Sequence, residues 1–251
     1  MPNRFEGVAL KLSWAEKHLK NLDFEVSTFL QGNPCVAVRV NDLRSGEDVW
    51  TAKLLAFPPQ WWSPMIGDIV HSLRSSLDYI VWELAKPTNR HHRLQFPICD
   101  TPEAYGAKAA QAQIKGLDDY DKALIESFQP FKSVDRGYHL SLLRALSNFE
   151  KHREPLLSFY GIGSVGVSWQ GAPPDLTDAD TLFRKSIHDG DELLRIPAEK
   201  KLRPDFGFTM SFSEDSPGKG MPVPAALYGI LSHIRNSIWP TIQQLGDGSQ
   251  T

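Results

Sequence analysis

Residues 65–86 favour one backbone conformation, a helix with two clean faces. At ~100° per residue, Ile69, Val70, Leu73, Leu77, Ile80, Val81 and Leu84 fall within an arc of about 120°. Asp68, His71, Arg74 and Asp78 share the opposite arc. An acid, an imidazole and a guanidinium on one stripe can bind or react, without specifying the chemistry. A polar stripe is ordinarily a solvated face, and Arg74 and Asp78 have the spacing of a common i,i+4 ion pair. Yet the stretch from Gly67 to Trp82 contains neither Lys nor Glu, the usual fillers of exposed helix surface. It carries Ser72, Ser75, Tyr79 and Trp82 instead. Serines permit close approach and aromatic rings favour partial cover, so this face is expected to pack against something polar.

The expected partner is a second helix over residues 137–152. Leu142, Ala145, Leu146 and Phe149 form its apolar face, and Arg144, Asn148, Lys151 and His152 lie on the other side, followed by Arg153. If the two polar arcs meet, His71, Arg74, Asp78, Asn148 and His152 form one cluster. Three readings remain open. The first is a structural network, since buried polar groups must find partners. The second is a site with His71, Arg74, Asp78 and His152 as catalytic groups and Asp68, Asn148, Lys151 and Arg153 as ligand-binding groups. The third is a metal site of Asp68, His71, Asp78 and His152, although its spacings match no recognised zinc signature, so no metal is assigned.

The remaining pattern predicts an α+β chain. Apolar residues recur at helical spacing over 4–31, and Gly32-Asn33-Pro34 ends that run. Val36–Val40 and Val49–Phe57 read as a β-hairpin, and two proline-bounded tryptophans, Trp61 and Trp62, as a lid or a stacking surface. Shorter helices are expected near 102–113 and 118–128, the first capped by Thr101. Strands are expected around 165–169, 182–187, 192–196 and 206–212, and a last helix over 224–245 with a kink at Pro240. No linker forces a split. The expectation is therefore one domain over 1–251, a helical bundle with an inserted hairpin and an antiparallel sheet packed on one side, fraying after about residue 246.

With 27 basic and 30 acidic side chains the net charge is −3, so no global field attracts nucleic acid or an anionic membrane. The loop carrying Arg90, His91, His92 and Arg93 supplies the one dense local positive patch able to hold phosphate. Two cysteines, with no apolar run of signal-peptide or membrane-spanning length, predict a reduced, cytoplasmic protein with no membrane partner. The sequence carries no phosphate-binding glycine loop, no nucleophile elbow and no Cys-x-x-Cys, so no cofactor is expected.

The run Gly67-Asp68-x-x-His71-x-Leu73-Arg74-Ser75-x-Leu77-Asp78 resembles the hallmark of an uncharacterised family of bacterial and phage proteins. Phe96-Pro97-Ile98, Gln129-Pro130-Phe131 and Asn148-x-x-Lys151-His152-Arg153 match further motifs of that family, over about 60–155. A looser resemblance is to HEPN domains, helical bundles that are often dimeric and frequently metal-independent ribonucleases. Arg74-Ser75 matches the first half of their motif, but Tyr79 stands where their histidine falls, and an unperturbed phenol of pKa about 10 is a poor base near neutral pH. This resemblance implies an RNA- or nucleotide-binding protein, a ribonuclease in bacterial defence, and a homodimer. Arg74 would stabilise the scissile phosphate, and His71 or His152 would move protons. Against it stand a non-enzymatic interaction or ligand-binding module, in which the polar cluster is structural, and a metal-dependent hydrolase.

Overall fold

Val8, Leu12, Ala15, Leu19, Leu22 and Val26 recur at helical spacing and all become buried on helix α1 (Glu6–Gln31). Asn33 then adopts a left-handed φ of 49°, a conformation asparagine tolerates, and Pro34 prevents continuation. In this computed structural model, residues 4–91, 93–132, 134–152, 158–168, 186–200 and 203–247 are described. A β-hairpin follows α1, β1 (Cys35–Asp42) and β2 (Glu47–Leu54), then α2 (Trp62–Leu84). Next come α3 (Pro102–Gly106), α4 (Lys108–Gln113), α5 (Asp119–Ser127) and α6 (Val134–His152). Strands β3 (Ser158–Ser168), β4 (Glu192–Pro197) and β5 (Arg203–Phe212) precede α7 (Val223–His233), a π-helical segment (Ile234–Ile238) and α8 (Trp239–Asp247). The fold is α+β, with antiparallel sheets ordered β1-β2-β4 and β3-β5. Among the described residues no helix is long and apolar enough to cross a membrane.

The chain divides into two compact units, Met1–Lys20 with Pro64–Pro155 and Ala226–Thr251, and Asn21–Ser63 with Leu156–Ala225. Three of the four boundaries fall inside α1, α2 and α7, which is why no linker marks them in the sequence. In the first unit the apolar arc of α2 is sealed: Ile69, Leu73, Leu77, Ile80 and Val81 are all fully buried. The helix expected at 102–113 breaks at Ala107, whose extended backbone separates α3 from α4. Thr101 caps α3 by accepting from the Ala104 N–H at 3.2 Å. The kink expected at Pro240 takes the form of the π segment, closed by a Trp239 N–H donated to the Ile234 carbonyl. Proline clashes with the carbonyl four residues back, and a widened turn accommodates this.

In the second unit, both indole N–H groups of the tryptophan pair donate to one Glu25 carboxylate oxygen, Trp61 at 3.1 Å and Trp62 at 2.8 Å. Those bonds hold the Glu25 pKa below its ordinary value. Trp62 is buried and Trp61 is exposed. Strands β4 and β5 appear where alternation predicted them, and β3 begins earlier, at Ser158. Ile187 makes only an isolated bridge to Tyr160, and the rest of the strand expected at 182–187 lies outside the described residues, apart from Ser186. Cys35 and Cys99 are free and buried. Burial pushes the Cys35 thiol up to about 12, and Cys99 in the same direction.

Candidate anion-binding groove

At Arg74 and Asp78 the polar stripe of α2 packs against main chain. Residues 94–100 join neither a helix nor a sheet, so their N–H and C=O groups need other partners. Arg74 Nη2 donates to the Phe96 carbonyl at 2.5 Å, and the Phe96 N–H donates to Asp78 Oδ1 at 2.9 Å. Arg74 and Asp78 also pair with each other at 2.9 Å, closing a ring around one buried residue. Burial pushes the Arg74 pKa down, and the Asp78 carboxylate opposes that shift.

The same logic continues along the strap. Gln129, itself 1% exposed, donates to the Pro97 carbonyl at 2.8 Å and accepts from the Cys99 N–H at 2.9 Å. Arg144 donates to the Ile98 carbonyl at 3.2 Å and pairs with Asp100, which also accepts from Ser141 Oγ. The Gln95 N–H donates to the Gln113 carbonyl at 3.1 Å. The Phe96-Pro97-Ile98, Gln129-Pro130-Phe131 and α2 motifs are thus parts of one device that holds a strap.

The other expected site residues do not join that ring. Asp68 and His71 are exposed on α2, with His71 Nε2 3.3 Å from Ser75 Oγ. Asn148 is exposed on α6. Lys151 and His152 end α6 with side chains outside the described residues, and Arg153 lies outside them altogether. Tyr79 is 42% exposed, and a Cβ on Gly7 would come within 2.8 Å of its ring. Among the described residues no group of three or more His, Cys, Asp or Glu side chains is placed to hold a metal ion.

The basic loop divides. Arg90 is held, pairing with Glu83 at 2.7 Å and lying 5.2 Å over the Trp82 ring. Arg93 is exposed and lines a groove of about 840 Å³ together with His91, Lys108, Lys115 and Lys122. Asn89, Gln111, Ala112 and Gly116 complete the described lining, which contains no carboxylate. His91 Nδ1 accepts from the Arg93 N–H at 3.2 Å, fixing the loop. Lys122 is partly neutralised by the fully exposed Asp119 at 3.1 Å, a pair that competes weakly with any ligand. The walls meet at Gly116, where a Cβ would lie 2.9 Å from the Asn89 carbonyl oxygen. The groove can hold a multiply charged anion through ammonium and guanidinium donors and the Gln111 and Asn89 amides.

Sequence reasoning named Arg93 but missed the three lysines. They recur every seven residues, a spacing that would put them on one face of a continuous helix. Here α4 ends at Gln113 and α5 begins at Asp119, so the turn between helices gathers them instead. No family model, curated protein or solved structure matches the chain.

Proposed function

We propose that the chain binds phosphate groups of RNA or of a nucleotide in the groove formed by Arg93, Lys108, Lys115 and Lys122. The observation that carries this is a concave lining with four permanent cations and, among the described residues, no carboxylate, on a chain of net charge −3. Such local concentration of one sign focuses the field and attracts polyanions despite the opposite global charge. Binding rather than cleavage is the favoured activity. Arg74, the residue a HEPN-type nuclease would turn to the scissile phosphate, is 13% exposed in its side chain and occupied by Asp78 and the Phe96 carbonyl.

Fluorescence anisotropy with a labelled 20-nucleotide single-stranded RNA, and separately with a labelled adenosine nucleotide, tests the proposal. If all four permanent cations engage RNA, log K falls with log salt at a slope of about −3, or about 50-fold between 50 and 200 mM. A preference for RNA over the mononucleotide identifies a polymer ligand, and equal affinity identifies the phosphate alone. Absence of binding by both at 50 mM salt overturns the proposal.

A further inference from the structure

Two sheet edges in the second unit open into one cleft. Strand β1 is the outer strand of its sheet. The Leu55 N–H donates to the Pro34 carbonyl at 2.8 Å, which sets the alternation. In an antiparallel pair, Val36, Val38 and Val40 then turn their main-chain groups toward β2, and Cys35, Ala37 and Arg39 turn theirs away. Ala52, opposite Ala37, confirms the phase, because its N–H and C=O bond Asp191 and Gly190 on the far side of β2, each at 2.8 Å.

Strand β5 is the other edge. Phe212 exchanges hydrogen bonds with Met221 and Gly220 on the side away from β3, at 3.0 and 3.1 Å. The irregularity at Ile162/Ser164 adds its extra residue to β3 and leaves β5 regular. Phe208 and Phe206 therefore also direct their main-chain groups away from β3. The cleft between these edges, about 420 Å³, is lined by Cys35, Ala37, Phe206 and Phe208, with Trp50 against them. Phe206 and Phe208 stack at 6.4 Å, and Trp50 lies 6.5 Å from Phe206. The Trp50 indole N–H is buried without a hydrogen-bond partner.

The geometry points to a docking site for an extended peptide segment of a partner protein, added as a strand in this cleft. Open edges are normally blunted by charge, proline or cover, because they recruit other strands. Here two of them face the same space, with aromatic rings available to a side chain. A peptide is the occupant that answers both the edges and the rings: its carbonyls accept, its N–H groups donate, and its alternate side chains meet the rings. The volume holds about three residues at ~3.3 Å rise, ~4.8 Å strand spacing and ~10 Å layer thickness. Exposed Asp205 at the lining favours a basic residue beside the docked segment.

Panning a displayed random octapeptide library against the full chain supplies the probe. A selected peptide is expected to lose tenfold or more in affinity when alternate amides are N-methylated. Trp50→Ala should weaken it about threefold to tenfold, as for loss of one aromatic contact. Ala37→Pro should weaken it at least as much, since it deletes an edge donor that the β1–β2 ladder does not use. Thermal melting of both variants reports folding, and amide exchange at Ala37, Phe206 and Phe208 should slow on binding. Failure to select any peptide overturns the inference, as does binding indifferent to N-methylation and to both variants. Self-association that protects the same amides without peptide also overturns it, because the occupant is then a second copy of the chain.

Discussion

The first unit contains two sets of basic side chains that look alike in sequence and differ in what surrounds them. Arg74 and Arg144 are turned to the carbonyls of a strap that lacks a sheet to satisfy it. Arg93, Lys108 and Lys115 stand exposed around a concave space with no carboxylate in its described lining. Guanidinium groups suit the first task because their planar donors can serve a carbonyl and a carboxylate together. Lysines suit the second, where a mobile point charge adapts to a phosphate. Charge committed to the chain's own backbone stabilises the fold, whereas charge left around a groove is available to a ligand.

Removing members of the first set should cost stability most. Arg74→Ala takes the cation from the Asp78 carboxylate, which keeps the Phe96 N–H, and leaves the Phe96 carbonyl without the Arg74 donor, and about 3–5 kcal/mol should be lost. At ~2–4 °C per kcal/mol for a chain of this size, the melting temperature should fall by roughly 6–20 °C. A fall under 2 °C would break the comparison on its first side. Gln129→Leu orphans the Pro97 carbonyl and the Cys99 N–H, and chemical denaturation should show a loss of about 2–4 kcal/mol. Gly116→Ala forces the groove walls apart against main chain, so about 1–3 kcal/mol of stability and part of the RNA affinity should be lost together.

Much of this was legible in the sequence, and the limits have physical causes. The polar arc of α2, which lacks Lys and Glu, is covered at Arg74 and Asp78, where main chain approaches, and stays exposed at Asp68, His71, Tyr79 and Trp82, so the composition announced only part of what happens there. What covered it was not legible. The motifs at 67–78, 96–98 and 129–131 are a helix, a strap and a loop, and only three-dimensional folding brings the side chains of one to the backbone of another. Helical periodicity located α1, α2 and α6, but α3 and α4 were fused because nothing in Ala107 announces its extended backbone. The lysines escaped notice because a turn, not a helix face, gathers them.

A carboxylate in the second unit extends the comparison to pH. Glu25 is held below its ordinary pKa by the two indole donors. A depressed acid contributes stability that is present above the unfolded value and lost as pH falls through the folded value. Acid titration from pH 6 downward should show a loss beginning near 4.5 that Glu25→Gln flattens, and an identical profile in the variant would remove Glu25 from the account. The smallest expected effect on stability is at the groove. Lys115→Glu, an exposed position, should stay within about 0.5 kcal/mol of the parent.

RNA affinity measured side by side for the parent, Lys108→Glu/Lys115→Glu and Arg74→Lys, at a temperature where all three are folded, tests the division most directly. The groove variant should bind RNA at least tenfold more weakly with a shallower salt slope, while Arg74→Lys melts lower and binds as the parent does. The reverse pattern, an indifferent groove and a folded Arg74→Lys that no longer binds, would place the functional charge on the α2 stripe and contradict the account.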